Sequence, residues 1–271
     1  MMKIYDKKLA YPYFVWMTLF TVVPLIIVVY YAFTDANGAF TLDNLTSISG
    51  YGSVFARSLL LALIATVICL VIAFPVGYFL SRLRVNKQHI MLMLVMLPMW
   101  MNFLLRTYAW MGLLSINGPV NAVLGVFGLG PFNILNTSGA VVLGMVYNFL
   151  PFMIYPIYNT LQKMDHSLIE AAQDLGANPS QVFIKAVFPL SMPGVMSGIM
   201  MVFMPTISTF AIAELLTMNN IKLFGTTIQE NINNGMWNYG AALSLIMLLL
   251  IGITGLFSNE SSDSANEGGL I

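Results

Sequence analysis

The stretch Ser167-Leu-Ile-Glu-Ala-Ala-Gln-Asp-Leu-Gly176 decides the fold, together with its continuation through Asn178-Pro-Ser to Phe188-Pro189. It is polar and helix-forming, and long apolar runs lie on both sides of it. Ser167 and Glu170 have the spacing of a capping box, in which each side chain satisfies the other residue's free backbone N–H. Four apolar residues recur at the i, i+3, i+4, i+7 spacing of one helix face: Leu168, Ala171, Ala172 and Leu175. The sequence therefore predicts a short helix with a small apolar face.

A second helix is predicted directly after the first. Gly176 is suited to end the first helix, because glycine readily adopts the left-handed conformation of a C-cap. Asn178-Pro179 then supplies an N-cap and a proline in the first turn, and Pro189 is expected to close this second helix. A helix–turn–helix of about twenty residues at a membrane surface is typical of a docking site for another protein rather than of an active site.

The composition indicates a membrane protein. Hydrophobic residues make up 58% of the 271 residues and charged residues only 8%, and the mean hydropathy is +0.82. A soluble chain carries about a quarter charged residues, so this chain cannot hide its apolar surface in water. The net charge of zero offers no electrostatic footprint for nucleic acid.

Six apolar segments are long enough to cross the bilayer, which takes about 20 residues each. The first is too long for a signal-peptide core and lacks a cleavage site, so we expect it to be retained. The stretch from Asn117 to Asn136 is rich in glycine and proline and is predicted to be an external or re-entrant loop. The predicted spans are Tyr11–Thr34, Arg57–Ser81, Ile90–Leu114, Ser138–Leu161, Pro193–Thr217 and Asn238–Phe257.

The distribution of Lys and Arg predicts the orientation, because basic residues are enriched in cytoplasmic loops. Eight basic residues fall on one side of a six-span arrangement: Lys3, Lys7, Lys8, Arg82, Arg84, Lys87, Lys163 and Lys185. Both termini and the Glu170 loop are therefore expected in the cytoplasm of a multi-pass cell-membrane protein.

The domain organisation predicted is one transmembrane domain over residues 1–257, with the cytoplasmic docking loop at about 162–192. Residues 258–271 form a polar, acidic tail, whose composition predicts disorder. The fold class predicted is an all-α membrane protein with six transmembrane helices and a cytoplasmic coupling helix.

The sequence lacks recognisable catalytic chemistry. It contains no Gly-x-x-x-x-Gly-Lys-[Ser/Thr] phosphate loop, the motif that cradles ATP phosphates. His89 and His166 have no neighbouring metal ligands, and Cys69 lies in an apolar run, where a small buried hydrophobe is expected. We predict no catalytic residue, no metal and no cofactor bound by this chain.

Ionisable and aromatic residues at membrane depth are the candidates for a solute pathway, because a charge there is expensive. Glu214 could attract a cationic solute, and the aromatic faces of Tyr108, Trp110 and Tyr147 could line its route. Arg106 would repel a cation, so we assign it a gating or architectural role. In the alternative interpretation, Arg106 and Glu214 anchor the helices at the interface or pair with each other, and the aromatic residues form a membrane-interface belt.

The Glu170 stretch resembles the EAA loop of ABC-importer permeases, in which Glu-Ala-Ala, a glycine and a hydrophobic–proline pair recur at this spacing. Three further segments narrow the resemblance to the permeases of spermidine/putrescine importers, and the match covers roughly residues 12 to 255. These segments are Leu105-Arg-Thr-Tyr-Ala-Trp110, Asn148-Phe-Leu-Pro-Phe-Met-Ile-Tyr-Pro156 and Trp237-Asn-Tyr-Gly-Ala-Ala-Leu-Ser244.

This resemblance implies a type I ABC-importer permease fold and inward polyamine transport by alternating access. It implies four kinds of partner: a second homologous permease, two ATPase subunits that carry ATP and Mg, an external solute-binding protein and the lipid bilayer. The residues expected to couple to the ATPase are Glu170, Ala171, Ala172, Asp174 and Gly176.

The chain departs from the family pattern in two places. After span five it has Glu214-Leu-Leu-Thr-Met-Asn219 where relatives commonly carry an aspartate and a Gly-Gly pair, and its tail is acidic rather than basic. The first departure leaves the solute open, so an importer of another small solute stays an alternative. Two other classes also stay open: an ATP-independent secondary transporter or channel, and a membrane scaffold that transports nothing.

Overall fold

The structure is a computed structural model that describes the backbone of residues 5–46 and 50–267, and the side chains of these residues except 5–10, 166 and 256–267. Most of this chain is helical. The α-helices are α1 Tyr5–Met17, α2 Val23–Ala32, α3 Asp43–Thr46, α4 Gly52–Ser81, α5 Val85–Met96, α6 Phe103–Leu114, α7 Pro119–Val126, α8 Ser138–Gln162, α9 His166–Asp174, α10 Pro179–Val182, α11 Phe188–Ser208, α12 Ala211–Thr217, α13 Phe224–Asn233 and α14 Trp237–Glu267.

The predicted number of membrane spans is confirmed. Within the described residues, six stretches are helical, long and apolar enough to cross a membrane. Four lie close to the predicted boundaries, whereas the third and the fifth differ. The observed stretches are Tyr11–Ala32, Gly52–Ser81, Phe103–Val126, Ser138–Gln162, Pro179–Ser208 and Trp237–Gly255.

The third span is not the continuous helix predicted over Ile90–Leu114. Helix α5 passes into a 3₁₀ turn at Leu97–Trp100, and the backbone is extended at Met101 before α6 begins. Asn102 starts α6 by accepting hydrogen bonds from the backbone N–H groups of Leu104 (2.9 Å) and Leu105 (3.2 Å). A side-chain cap of this kind fixes a helix start, which explains why the apolar run divides here. Part of the predicted loop after this span is helical, as α7.

The fifth span also differs from its predicted limits, Pro193–Thr217. It begins earlier, because α10, a π-helical turn at Phe183–Val187 and α11 form one continuous helical stretch. The prediction that Pro189 closes the second helix of the docking loop is therefore wrong. The π turn ends just before it, with the Phe188 N–H bonded to the Phe183 carbonyl, and such a bulge is one way in which a helix accommodates a proline. The span ends at Ser208, and α12 is a separate short helix.

Helices α8 and α11 pack closely through glycines. Gly194 and Gly198 form a small-xxx-small pattern on α11, which allows membrane helices to approach each other. A Cβ at Gly194 would stand 2.7 Å from the Pro156 carbonyl oxygen, and one at Gly198 would stand 2.6 Å from the Met153 sulfur. The two spans that flank the docking loop are therefore in direct contact.

The described chain divides into two compact units, the first within Met1–Ser53 and Thr227–Leu250 and the second within Val54–Thr226 and Ile251–Ile271. In the first unit, the amides of Asn44 and Asn238 hold the end of α2, both donating to the Thr34 carbonyl, at 2.8 Å and 2.6 Å. The second unit holds α4 to α12 and the predicted site residues. The helix α14 extends to Glu267, into the stretch predicted to be a disordered tail; that disorder and the single domain over 1–257 stay predictions.

Candidate coupling site and transport pathway

Helix α9 carries the predicted docking surface, but its N-cap is not the predicted one. Asp165 is the N-cap, and its Oδ1 accepts a hydrogen bond from the Ser167 backbone N–H at 2.9 Å. The capping box between Ser167 and Glu170 is therefore wrong: the helix begins at His166, so Ser167 already lies inside its first turn. An aspartate at this position satisfies one of the unbonded N–H groups of the first turn.

The end of α9 is confirmed at Gly176. This residue has φ +83°, and its N–H bonds to the Gln173 carbonyl at 2.8 Å, while the Ala177 N–H bonds to the Ala172 carbonyl at 3.1 Å. These two bonds define a Schellman motif, whose left-handed residue is usually glycine. The turn therefore sets the direction in which the chain leaves α9.

Asn178 begins the next helix as predicted, with Pro179 in its first turn. The Asn178 side chain accepts from the Gln181 backbone N–H at 2.8 Å, and the Gln181 side chain accepts from the Asn178 N–H at 3.0 Å. This reciprocal pair is the capping box of the docking loop. The sequence carried its signal in the Asn-x-x-Gln spacing.

The apolar face predicted for α9 is mostly exposed: of its four residues only Ala172 packs against the core, beside Ile169, which was not predicted to belong to that face. Ile169 is buried and Ala172 packs against the same core cluster, whereas Leu168 and Leu175 have 49% and 89% of their surface exposed. Four of the five predicted coupling residues are exposed as well: Glu170, Ala171, Asp174 and Gly176. The helix is thus anchored along one edge and presents leucines, small residues and carboxylates outward.

Aromatic residues of α4 and the docking loop hold the anchored edge in place. The Phe183 ring lies edge-on to Phe74 and Tyr78, with centroid distances of 5.6 Å and 6.0 Å. The Arg82 guanidinium lies 5.1 Å from the centre of the Tyr78 ring. A cavity of about 300 Å³ lies beside these residues and is also lined by Ile169. The docking loop therefore packs against the end of the second span.

Three of the predicted pathway and gating residues are brought together. The Trp110 and Tyr147 rings lie edge-on at 5.1 Å, and the Arg106 guanidinium carbon lies 5.7 Å from the centre of the Tyr147 ring. Arg106 is buried, and its Nη1 donates to the Pro98 carbonyl at 2.8 Å, while its buried Nε has no hydrogen-bond partner among the described residues. Arg106 thus bridges the break between α5 and α6 and the face of α8, instead of pairing with Glu214.

Tyr108 and Glu214 lie apart from this cluster. Tyr108 follows Arg106 by two residues, about 200° around α6, and is half-exposed. On α12, Ile212 and Leu216 are the residues that would meet a Cβ at Gly144 of α8. Glu214 lies between them on the opposite face and is exposed. If Tyr108 and Glu214 contact the solute as predicted, they do so from exposed surfaces outside the Arg106–Trp110–Tyr147 cluster.

Trp110 and Tyr147 line a cavity of about 680 Å³ between α4, α6 and α8. Most of its wall is aliphatic, and Ser138 contributes a hydroxyl near the start of α8. Such a surface can contact methylene groups and offer aromatic faces to a cation, but its described lining residues include no carboxylate to neutralise one. Within the described residues there is also no group of His, Cys, Asp or Glu that could hold a metal ion.

Several polar residues of this unit are buried although no sequence motif marks them, and one of them joins three elements of the fold. Gln88, in the first turns of α5, is 5% exposed, and its side-chain amide bonds to groups on α4, α8 and the turn between α4 and α5. The signal available in the sequence was a glutamine between basic residues, which is typical of an exposed loop. Only the tertiary contacts distinguish it.

This chain belongs to the family of binding-protein-dependent transport system inner membrane components, which matches residues 5–263. It is therefore a multi-pass inner membrane protein and a permease component of such a transport system. The expectation from the EAA resemblance is confirmed at the level of the family.

Two similar proteins share one name, that of a spermidine/putrescine transport system permease. The spermidine/putrescine transport system permease protein PotB of Haemophilus influenzae is 36% identical over 251 residues, covering 89% of this chain and 88% of that protein. PotB of Escherichia coli strain K12 is 36% identical over 249 residues, covering 88% of this chain and 90% of that protein.

A solved structure shares the fold. A chain of a bacterial ABC transporter that imports the acidic polysaccharide alginate superposes with a TM-score of 0.76 over 96% of this chain and 97% of its own length, at 18% identity. The predicted fold class, an all-α ABC-importer permease with six transmembrane helices, is confirmed.

Proposed function

We propose that this chain is the permease subunit of an ATP-driven importer that moves polyamines inward by alternating access. The ATP and Mg of the cycle are held by a separate ATPase rather than by this chain. Two such ATPase subunits dock on the Glu170 loop, a second homologous permease completes the channel, and an external solute-binding protein delivers the polyamine. Both termini and α9 lie in the cytoplasm.

The observation that carries the coupling role is the division of α9 into a packed edge and an exposed face. Ile169 fixes the helix to the core, while Leu168 and Leu175 remain exposed beside Glu170. Exposed leucines next to charged groups are what a protein partner buries on docking. The Schellman turn at Gly176 connects this helix rigidly to the stretch that becomes α11, so a displacement of α9 reaches both flanking spans.

The polyamine assignment is supported by the relatives that are named as spermidine/putrescine permeases. It also fits the chemistry of the predicted pathway. Trp110 and Tyr147 supply aromatic faces beside aliphatic wall, which suit ammonium groups joined by methylene chains. Glu214 supplies an exposed carboxylate on a separate surface, where it can attract a cation. Arg106 is directed to a backbone carbonyl and a ring, which keeps its charge away from a free cavity surface.

The test is uptake of labelled spermidine into proteoliposomes that contain this chain, its second permease and its ATPase subunits, with the binding protein added outside. We expect uptake that requires hydrolysable ATP and is competed by putrescine. An otherwise identical assembly with a hydrolysis-deficient ATPase is the control. ATP-dependent assembly without spermidine uptake would rule out polyamine as the solute. Uptake that follows an ion gradient without ATP would rule out an ATP-driven importer.

A second candidate is import of a different small solute by the same mechanism. It is favoured by the departure at Glu214-Leu-Leu-Thr-Met-Asn219, where the chain ends α12 with Met218 in a left-handed conformation. The same proteoliposomes decide between the two candidates, because binding-protein-stimulated ATP hydrolysis without polyamine uptake is expected only for the second.

A further inference from the structure

The side-chain amide of Gln88 joins three elements at the predicted cytoplasmic end of the second unit. Its Nε2 donates to the carbonyls of Ser81 (3.0 Å) and Leu83 (2.7 Å), at the end of α4. Its Oε1 accepts from the Tyr158 hydroxyl (3.3 Å) and from Nε2 of Gln162 (3.1 Å), both on α8. These four bonds use the full capacity of the amide, which has two donor hydrogens and two acceptor lone pairs.

The two halves of this amide have different physical roles. The donors cap α4, because the last carbonyls of a helix have no partner within the helix. The acceptor bonds link α5 to α8 across 70 and 74 residues of sequence. Gln88 and Tyr158 are 5% and 2% exposed, so water cannot easily replace this link, and buried networks of this kind hold their members in one arrangement.

The position of the link in the chain connects the docking helix with the broken span. Gln162 is the last residue of α8, and α9 begins four residues later with His166. In the other direction, α5 leads from Gln88 to the break at Leu97–Asn102, where Arg106 donates to the Pro98 carbonyl. A movement of α9 that displaces the end of α8 therefore acts on α5 through the Gln88 amide.

We infer that Gln88 is a positioning residue for coupling, which transmits motion of the docking helix from α8 to α5 and the break that follows it. This inference rests on the proposed function, because it needs an ATPase that displaces α9. The essential part is the acceptor link to Tyr158 and Gln162. The donor bonds to α4 stabilise the fold but do not carry the coupling.

Two sets of variants separate the link from the cap. The double variant Tyr158→Phe, Gln162→Met removes both donors to Oε1 and leaves the α4 cap in place. Gln88→Glu keeps an acceptor for both donors and loses the amide hydrogens that cap α4. Gln229→Met is the matched control, because the side chain of that glutamine, among the residues that the structure describes, bonds only to Asn233 one turn away.

The measurement is the number of solute molecules imported per ATP hydrolysed by the complete complex in proteoliposomes, together with its thermal midpoint. The double variant should lower this ratio about threefold to tenfold, the size that one or two hydrogen bonds confer on an equilibrium. Gln88→Glu should lower the thermal midpoint more than the ratio, and Gln229→Met should change neither. A double variant with the wild-type ratio overturns the inference, whatever its thermal midpoint.

Failure of assembly does not leave the inference untested. If the double variant does not assemble, Tyr158→Phe and Gln162→Met are measured singly, and a wild-type ratio in both overturns the proposal. The outcome is also distinct from failure of the proposed function. If wild-type complexes import no polyamine, the proposed substrate is wrong. If wild-type complexes import it and the link variants keep the wild-type ratio of solute to ATP, only the role of Gln88 is wrong.

Discussion

The Arg106 guanidinium carbon lies 5.7 Å from the centre of the Tyr147 ring, within the range of a cation–π contact. The contact joins α6, immediately after the break in the third span, to the middle of α8. A buried arginine with one backbone bond and one ring contact depends on the ring, because its Nε has no hydrogen-bond partner in the part of the chain that the structure describes.

We expect the ring and not the hydroxyl of Tyr147 to matter. Tyr147→Leu should lower the thermal midpoint of the complex and its uptake, because about 0.5–2 kcal/mol of cation–π stabilisation is lost. Tyr147→Phe keeps the ring and is the matched control, so it should remain close to wild type. Equal damage in the two variants would show that the hydroxyl is the important group and would contradict this account of Arg106.

Gly176 is expected to be required for coupling rather than for insertion. Its φ of +83° costs about 1–3 kcal/mol for a residue with a side chain, although a Cβ there would meet no described atom within 4 Å. Gly176→Val should therefore leave the chain in the membrane but separate ATP hydrolysis from uptake. Asparagine tolerates the left-handed region, so Gly176→Asn should retain most of the coupling. Normal uptake by the valine variant would count strongly against the docking role of this loop.

Glycine packing between α8 and α11 predicts an order of stabilities. Gly194→Ala places its Cβ 2.7 Å from a backbone oxygen, that of Pro156, whereas Gly198→Ala meets the flexible Met153 side chain. Overpacking of this kind costs about 1–3 kcal/mol, and the backbone neighbour cannot turn aside. Thermal midpoints should therefore be lowest for Gly194→Ala and intermediate for Gly198→Ala. Gly252→Ala is the control, because its Cβ meets nothing within 4 Å among the side chains that the structure describes. The reverse order for the first two variants would refute the packing argument.

Replacing Asp165 and replacing Ser167 should affect the stability of the first turn of α9 differently. Asp165→Ala removes the N-cap and should destabilise the helix by about 0.5–2 kcal/mol, seen as faster hydrogen exchange of the α9 amides. Ser167→Ala should change the exchange little, because its backbone N–H and not its hydroxyl takes part in the cap. Faster exchange in the serine variant alone would restore the Ser167 capping box.

Glu214 is expected to act on affinity and not on coupling. Glu214→Gln removes an exposed carboxylate and should raise the apparent KM for polyamine about two- to fivefold, as for a solvent-screened ion pair. Glu170→Gln makes the same change on the docking helix and should alter coupling while leaving the KM unchanged. An unchanged apparent affinity in the Glu214 variant would remove it from the solute pathway.

The membrane class and the six spans could be predicted because hydropathy over about 20 residues is a local property of the chain. Where a span breaks is less local. The apolar run over Ile90–Leu114 contains Pro98, which can interrupt a helix, but the point at which α6 begins depends on the Asn102 side chain accepting two backbone N–H groups. Pro189 gave the opposite error: it was expected to end a helix, but a preceding π turn accommodates it inside one.

By itself, the sequence determined the class of protein, the number of spans, the glycine that ends α9 and the asparagine that begins the next helix, since each depends on residues within a few positions of one another. Tertiary structure alone decided which edge of α9 is buried, that Arg106 contacts Pro98 and Tyr147, and that Gln88 joins α5 to α8. The physical reason is distance along the chain. The partners of Gln88 on α8 lie 70 and 74 residues away, and no periodicity or composition specifies which distant polar groups meet when helices pack.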